Sequence, residues 1–350
     1  MSEPAHVHAG TGSAKGTGSA TDTGSAKGTG SATSTGSATL AGSGTPTGTW
    51  AVVLNWNGGE QNLACVRSLL AQGLAPERIV FVDNASSDGS AERVVAEFGH
   101  LVVLRNAANL GYGDGTNRGI EHALAHGAER VLLVNNDVIF PSGTLAGLER
   151  ALAAGAGIVG PRVLFLHPPD VVWCAGGLLT FRTNLSTLIG HREPDGPRFQ
   201  VTRAVDYVPG CAMLVARAVF ARIGLLEGDY FAYHEDLEFC WKARQAGFPV
   251  RVIGALAVHH DAHSSTGGGY NPLRKYMMAV NTVRFLRRHG TPARWLSFWL
   301  HDVLSLPFVF LYRAQRGEGR AVLAKARGTW DGLRGRQVTA QRLHELSNGG

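Results

Sequence analysis

The chain has 350 residues, of which 44% are apolar, and it carries 33 Lys and Arg against 27 Asp and Glu, a formal net charge of +6. This length allows one large α/β domain with appendages or two average domains, and the composition is typical of a soluble protein with a sizeable core. The positive charge lies in residues 271–350, which hold 14 Lys and Arg against 4 Asp and Glu. A nucleic-acid-binding protein would usually carry its positive face on the main folded domain, so this distribution disfavours that class, whereas a basic end also fits an anionic membrane surface.

Residues 1–49 form a low-complexity segment in which Gly, Thr, Ser and Ala fill 38 of the 49 positions. The tetrapeptide Thr-Gly-Ser-Ala recurs every six residues, but no repeat carries the apolar residue that a β-helix needs. The segment lacks the apolar stretch of a signal peptide, and it cannot bury enough surface to offset its conformational entropy. The sequence therefore predicts a disordered tail over residues 1–49 and a fold that begins near Trp50.

Apolar runs alternate with helical patterns after this tail. Strands are predicted at 50–55, 78–83, 101–105 and 130–134, and helices at 62–72, 91–98 and 113–126. Strands that are apolar throughout indicate a parallel sheet with helices on both faces. The later chain predicts a helix-to-strand transition at 158–165, a mobile loop at 185–205, a helix within 230–247 and a strand at 248–258.

Polar residues follow each of the four first strands, at Asn55, Asp83, 106–109 and 135–137. One such cluster could be turn or capping chemistry, but ligands of parallel sheets bind beyond the carboxyl ends of the strands. Four clusters at one edge therefore predict a binding site. Asp83 could accept hydrogen bonds from a ribose or a base. The G-x-G-x-x-G fingerprint of nicotinamide enzymes does not follow the first strand, which disfavours an oxidoreductase.

Five more residues, in three parts of the chain, could carry chemistry. Asp137 ends the fourth polar cluster, and Mg²⁺ commonly takes one or two carboxylates together with substrate phosphates. His259 and His260 follow the last predicted strand, and either could add a metal ligand. Glu235 and Asp236 begin a predicted helix, where the helix dipole favours acids, and one of them could act as a general base.

Six segments in order along residues 50–270 resemble glycosyltransferase family 2, close to its rhamnosyltransferase-like branch. They are VVLNWNGGEQNLACVRSLL, IVFVDNASSDGS, NLGYGDGTNRGI, VLLVNNDVIF, VPGCAMLVARAVFARIG and YFAYHEDLEFCWKARQAGF. The resemblance implies a GT-A type α/β fold, with a mostly parallel central sheet between helices. It also implies inverting transfer of a sugar from a nucleotide diphosphate donor to a hydroxyl group, with a divalent metal, Mg²⁺ or Mn²⁺.

The resemblance also implies roles for individual residues. Asp236 matches the catalytic base, within the pair Glu235-Asp236, and Asp137 matches the last acid of the D-x-D metal motif. His259 matches a late metal-binding histidine, with His260 as the alternative. The residues expected to bind the nucleotide sugar are Asn55, Asn57, Asp83, Asn109, Gly111, Asn135 and Asn136.

The chain departs from the family pattern at two positions. Asn135 replaces the first aspartate of the metal motif, which removes one anionic ligand. Val280-Asn281 stands where the branch often has an Arg-Asn pair. A nucleotide-sugar-binding protein without catalysis is therefore the alternative to a transferase, although a protein that only binds has no need for the base at Asp236.

Residues 271–350 form the basic, helical C-terminal extension after the catalytic domain at 50–270. The run at 295–312 is mostly apolar, but His301, Asp302 and Pro307 interrupt it, so an amphipathic element on an anionic membrane surface is favoured over a spanning helix. The alternative is a helix that packs on the catalytic domain or across a homodimer.

The four cysteines lack metal-site spacing and indicate a reducing, cytoplasmic compartment. The basic C-terminal extension adds the expectation of a peripheral position at the inner face of the cell membrane. The expected partners are a dTDP- or UDP-sugar, with rhamnose as the sugar that the branch suggests. The acceptor is expected to be a cell-wall, polysaccharide or lipid-linked glycan, and no nucleic acid is expected to bind.

Overall fold

The computed structural model of the chain describes residues 48–262 and 270–348. The predicted N-terminal tail lies almost entirely outside the described residues. The strands are β1 (Thr49–Asn55), β2 (Ile79–Asp83), β3 (Val102–Arg105), β4 (Arg130–Asn135), β5 (Val138–Ile139), β6 (Ile158–Phe165), β7 (Val172–Cys174), β8 (Gly177–Leu179), β9 (Ser186–Leu188), β10 (Thr202–Ala204), β11 (Ala212–Ala216) and β12 (Val250–His260). The helices are α1 (Gln61–Leu70), α2 (Ser90–Glu97), α3 (Gly111–Ala125), α4 (Thr144–Ala153), α5 (Arg217–Ile223), α6 (Glu235–Gln245), α7 (Pro272–His289), α8 (Pro292–Phe298), α9 (Leu306–Ala314), α10 (Gly319–Leu333) and α11 (Ala340–Asn348).

Within the described residues, ten strands form one mixed sheet. Its order is β10-β12-β6-β11-β4-β1-β2-β3, with β5 paired to β12 and β7 paired to β6. β1 runs parallel to β2 and β4, whereas β11 runs antiparallel to β4. Asn55 lies opposite Asp83 in this register, and Asn135 lies opposite Leu54. The polar ends of the parallel strands therefore meet at one edge of the sheet.

Alternate residues of the central strands belong to two different hydrophobic clusters. Ala51 and Val53 of β1 pack in one cluster with α1, α2 and α4, while Val52 packs in the other with α3 and α6. Side chains of a strand alternate between its two faces, so each cluster covers one face of the sheet. The predicted sheet with helices on both faces is confirmed. Phe285 of α7 belongs to the second cluster, so α7 shares this core.

Two predictions for the middle of the chain are wrong. Residues 158–165 are strand throughout rather than a helix-to-strand transition, and every residue of β6 is buried. A short, fully buried apolar run cannot be assigned to helix or strand by periodicity alone. The predicted mobile loop at 185–205 contains β9 and β10, and it is anchored by the buried side chains of Leu185, Phe199 and Val205.

The predicted helical C-terminal extension is confirmed. Among the described residues, one helical segment, Pro292–Ala314, is apolar enough and, at 23 residues, long enough to cross a membrane, judged by length and composition only. It comprises α8, a π-helical turn at Trp299–Val303, and α9. Pro307 does not break it because Pro307 lies in the first turn of α9, where a helix needs no backbone N–H donor.

Candidate active site

A cavity of about 1000 Å³ lies at the carboxyl ends of the parallel strands. The residues near the strand edge that line it are Leu54, Trp56, Asn84, Asn109, Gly111 and Asn135. Further lining comes from residues 231–237, which lead into α6, and from α7 and α11. The cavity thus joins the strand edge, the acidic start of a helix and the C-terminal extension.

Asn55 organises the strand edge from beneath the cavity. Its side chain is fully buried, and its Nδ2 donates to Asp83 Oδ1 at 2.9 Å and to Ser90 Oγ at 2.9 Å. Its Oδ1 accepts from the Nδ2 atoms of Asn62 at 3.0 Å and Asn136 at 3.1 Å. A buried network with several such bonds fixes the loops that follow β1, β2 and β4. Asn55 therefore supports the strand edge rather than lining the cavity.

The seven residues expected to bind the nucleotide sugar divide into two groups. Asn109, Gly111 and Asn135 line the cavity, whereas Asn55, Asn57, Asp83 and Asn136 do not. Asp83 is buried, and its carboxylate accepts hydrogen bonds from Asn55 and from the Ser86 backbone N–H. Asn84, the next residue, lines the cavity in its place and donates from its Nδ2 to Asn109 Oδ1 at 2.9 Å.

Gly111 is required by a close backbone contact. Its φ is +81°, and a Cβ at this position would lie 2.4 Å from the carbonyl oxygen of Phe231. The start of α3 therefore lies directly against the segment that leads to Asp236. A side chain here would displace that segment.

Asp137 and His260 form a buried carboxylate–imidazole pair. His260 Nε2 lies 3.1 Å from Asp137 Oδ1, and both side chains are buried. The short antiparallel pairing of β5 with the end of β12 places Val138 opposite His260 and brings the two together. Neighbouring residues of a strand point to opposite faces, so His259 points away from this pair.

Among residues 48–262 and 270–348, no group of three or more His, Cys, Asp or Glu side chains is arranged to hold a metal. Asp137 and His260 offer two ligands, one oxygen and one nitrogen. Asn135 Oδ1 is also buried on this edge and has no hydrogen-bond partner in the described part of the chain. These donors are compatible with a divalent cation that completes its coordination with substrate phosphates.

Glu235 and Asp236 both line the cavity, but their carboxyl groups are held differently. Asp236 accepts hydrogen bonds from the backbone N–H groups of Gly210 at 3.0 Å and Leu237 at 2.7 Å. Burial raises the pKa of Asp236, and these backbone donors oppose that rise. Burial, followed by the charge of Asp236, raises the pKa of Glu235 well above its usual value. One oxygen of Glu235 has no hydrogen-bond partner in the described residues.

The segment before Asp236 has an unusual backbone that α7 holds in place. Phe231, Tyr233 and His234 have φ values of +60°, +71° and +75°. Asn281 Nδ2 lies within 2.9 Å of the carbonyl oxygens of Tyr230, Ala232 and Tyr233 and donates to them. Asn281 thus connects the C-terminal extension to the candidate base. The sequence showed that Val280-Asn281 departs from the Arg-Asn pair that is frequent in the branch, but it indicated no role for Asn281.

Pattern reasoning also missed the aromatic and basic residues of the cavity. They include Trp56, Tyr112, Trp173, His191, Tyr207, Tyr233, Arg274 and Lys275. Tyr112 donates from its hydroxyl to the Gly210 carbonyl at 2.8 Å, next to the N–H that binds Asp236. Trp56, Tyr112 and Tyr233 lie within the quoted motifs beside residues that the sequence did single out. No local pattern marks the others, because they approach the cavity from distant parts of the chain.

A mixed α/β sheet with a cavity at its strand ends and acidic side chains in the cavity wall has its candidate site where open α/β sheets bind their ligands. Residues 46–275 match the family described as Glycosyltransferase like family 2, and the chain belongs to this family. It is a glycosyltransferase that uses a nucleotide-sugar donor. The predicted family is thereby confirmed.

Two curated relatives support the rhamnosyltransferase-like branch and the hexosyltransferase class. The N-acetylglucosaminyl-diphospho-decaprenol L-rhamnosyltransferase of Mycobacterium tuberculosis is 30% identical over 224 residues, which cover 57% of this chain and 72% of the relative. The low-salt glycan biosynthesis hexosyltransferase Agl10 of Haloferax volcanii is 24% identical over 242 residues, which cover 66% of this chain and 75% of the relative.

The predicted GT-A fold is confirmed by a solved structure. The crystal structure of GalNAc-T7 with UDP, GalNAc and Mn²⁺ superposes with a TM-score of 0.52 at 16% sequence identity. The alignment covers 68% of this chain and 47% of GalNAc-T7, so the likeness concerns the fold alone.

Proposed function

We propose that this glycosyltransferase inverts the anomeric centre of its donor sugar and uses Asp236 as its general base. The observation that carries the proposal is the carboxylate of Asp236, which lines the cavity and is held by two backbone N–H groups. A base must lie within hydrogen-bond reach of the hydroxyl that it deprotonates, and a carboxylate fixed in a cavity wall can meet that condition.

In the proposed reaction the acceptor oxygen attacks the anomeric carbon from the face opposite the diphosphate. The new carbon–oxygen bond forms as the bond to the diphosphate breaks, and the leaving oxygen keeps the electron pair. The acceptor proton moves to Asp236. The first turn of α6, which begins at Glu235, favours the ionised form of this carboxylate before the reaction.

A divalent cation, Mg²⁺ or Mn²⁺, is part of the proposal. Asp137 and His260 would hold it, and the buried oxygen of Asn135 is the third donor on this edge. The ion would supply charge stabilisation to the departing diphosphate. With Asn135 in place of an acid, the protein contributes one carboxylate rather than two to this site.

The proposed donor is a dTDP- or UDP-sugar, with rhamnose as the first sugar to test, because the Mycobacterium tuberculosis relative is named as an L-rhamnosyltransferase. The proposed acceptor is a lipid-linked glycan, since the name of that relative contains a diphospho-decaprenol carrier. A thermal-shift panel of dTDP-, UDP- and GDP-sugars with each metal, followed by assays of nucleotide diphosphate release, tests donor and metal together.

Asp236→Asn tests the catalytic part of the proposal. The amide keeps the shape of the side chain but cannot take the proton, so we expect the transfer rate to fall by about 10²- to 10⁴-fold with donor affinity retained. Asp170→Asn, at an exposed aspartate outside the cavity, is the control and should transfer normally. Wild-type turnover by Asp236→Asn would refute the base. Donor binding without transfer by the wild type would favour the non-catalytic alternative.

We further propose that the enzyme works at the cytoplasmic face of the membrane as a peripheral protein. The exposed apolar face of the segment Pro292–Ala314 supports this. Its members, 41–75% exposed, are Leu296, Trp299, Leu300, Leu304, Phe308, Leu311 and Tyr312. Asp302, whose place in the apolar run disfavours a spanning helix, is buried on the opposite side and paired with Lys325 of α10.

A further inference from the structure

Two cations on the cavity wall have no carboxylate partner among the described residues. Arg274 and Lys275 lie in the first turn of α7 and line the cavity. Neither makes an ion pair in the part of the chain that the structure describes. Residues 263–269, which precede them outside the described ranges, contain no Asp or Glu. The nearest aromatic rings are those of Tyr233, 5.5 Å from the Arg274 guanidinium, and Tyr270, 4.4 Å from Lys275 Nζ.

Other cations near this pair already have partners. Lys325 is paired with Asp302, and Arg313 is paired with Glu318 at 2.6 Å. Burial, followed by repulsion from neighbouring cations, lowers the pKa of Lys275 to about 8. Arg274 Nε is buried and has no hydrogen-bond acceptor among the described residues. The charge of Asp302 acts on the pKa of Lys275 in the opposite direction, but neither cation of the pair makes an ion pair among the described residues. A concave wall with two such cations attracts an anion.

The pair lies on the α7 side of the segment that leads to the candidate base. The segment 231–234 contacts Gly111 of the strand edge through Phe231 and contacts Arg274 through Tyr233. Gly111, which is expected to bind the nucleotide sugar, and the basic pair thus contact different residues of the segment that leads to Asp236. A base receives its proton from the acceptor, so groups on the α7 side are placed to meet the acceptor.

The same wall offers apolar contacts beside the two charges. Leu273, Met277 and Met278 of α7 and Leu343 of α11 also line the cavity. An anionic group followed by a hydrocarbon chain fits such a wall, because the phosphates can meet the cations while the chain covers apolar side chains. Arg binds phosphate oxygens through two N–H groups, and Lys adds a point charge.

We propose that Arg274 and Lys275 bind the diphosphate of a lipid diphosphate, with its hydrocarbon chain against α7 and α11. The role of this lipid diphosphate as the glycosyl acceptor rests on the proposed function. Its binding to Arg274 and Lys275 does not rest on that function. The recognised chemistry is a diphosphate joined to an isoprenoid-like chain.

The test uses the full chain, with geranyl diphosphate as the probe, in isothermal titration calorimetry. Arg274→Gln/Lys275→Gln should weaken binding of geranyl diphosphate by about 10- to 100-fold, since each charged hydrogen bond contributes about a factor of ten. Arg150→Gln/Arg222→Gln removes two exposed charges outside the cavity and should bind like the wild type. Arg274→Lys/Lys275→Arg keeps both charges and should stay within a few-fold of the wild type, which separates loss of charge from loss of fold.

Three results would overturn the inference. If the double Gln variant binds geranyl diphosphate as tightly as the wild type does, Arg274 and Lys275 do not form the binding site. An equal loss of dTDP and UDP binding assigns the pair to the donor diphosphate instead. If inorganic pyrophosphate binds as tightly as geranyl diphosphate, the hydrocarbon chain does not contribute to binding, and the proposed contact of the chain with α7 and α11 is wrong. If no sugar transfer is found with any nucleotide sugar while the binding result holds, the proposed function fails and the inference stands.

Discussion

Glu235 and Asp236 are neighbours in the chain with different environments. Asp236 has two backbone N–H donors that stabilise its ionised form, whereas Glu235 is buried with one oxygen unpartnered in the described residues. Burial, followed by the charge of Asp236, raises the pKa of Glu235, because the charged form loses more hydration than the neutral form and is repelled by the neighbouring carboxylate. The two backbone donors of Asp236 oppose the rise in its pKa, whereas Glu235 also has the charge of Asp236 beside it, which adds to the rise.

The raised pKa of Glu235 makes a prediction for stability. Between the unfolded value, about 4.3, and the raised native pKa, the native state holds a proton that the unfolded chain has lost, so stability falls as pH rises. Glu235→Gln removes this loss. In urea unfolding from pH 5 to pH 8, we expect the variant to gain in free energy of unfolding relative to the wild type as pH increases. A difference that is constant with pH would contradict the raised pKa.

At the scale of elements, α7 connects the C-terminal extension to the catalytic helix α6. Asn281 binds three carbonyl groups of the segment before Asp236. Glu238 of α6, which is buried, also accepts from Arg288 at 3.2 Å and lies 3.0 Å from His289 Nε2, both on α7. The position of the base therefore depends on a helix outside the recognised motifs.

Asn281→Leu should impair transfer more than it impairs donor binding. The substitution leaves three carbonyls without their donor, costing about 1–3 kcal/mol of stability. Displacement of the segment should lower kcat by about 10- to 100-fold with donor Kd unchanged, because small misplacements of reacting groups are costly.

Gln72→Leu is the matched control for this variant. The Gln72 side chain donates to the carbonyls of Phe140 and Pro141, at 3.2 and 3.1 Å, rather than to the segment before Asp236. It should lose stability with kcat retained. Equal kcat for Asn281→Leu and the wild type would show that Asn281 has only a structural role.

At the scale of the whole molecule, the C-terminal extension buries its two aspartates, Asp302 and Asp331, and leaves several cations exposed. Asp331 is buried and paired with Arg336 at 3.2 Å and Arg342 at 3.0 Å. The exposed positions of α10 and the turn after it include Arg320, Arg327 and Arg334, at helical spacing with the exposed Leu323 and Trp330. An anionic lipid surface complements such a face, whereas a second copy would place like charges together.

Leu304→Ser/Phe308→Ser should weaken co-sedimentation with phosphatidylglycerol vesicles by at least about tenfold, because two large apolar side chains no longer enter the interface. Wild-type binding should also fall at high salt. Val95→Ser/Val201→Ser changes exposed apolar residues elsewhere and should bind as the wild type does. Two results would contradict the proposed membrane-binding surface. One is unchanged vesicle binding by Leu304→Ser/Phe308→Ser, and the other is a wild-type dimer that this variant, but not the control variant, dissociates.

The first four strands, β1 to β4, were largely predictable from the sequence. Each is an apolar run, and such a run can be recognised without knowing which residues it contacts elsewhere in the chain. The family followed from ordered motifs. Predictions failed at β6 and at residues 185–205. The signals there, a fully buried strand and isolated anchors such as Phe199, have no period that a local pattern can reveal.

The sequence by itself determined that a polar edge, an acidic helix start and a basic C-terminal end exist. Only the tertiary structure decided how they combine. It places Asn84 rather than Asp83 in the cavity, pairs His260 with Asp137, and makes α7 part of the cavity wall. The physical reason is that these relations depend on strand register and on contacts between residues far apart in the chain, which composition and spacing do not encode.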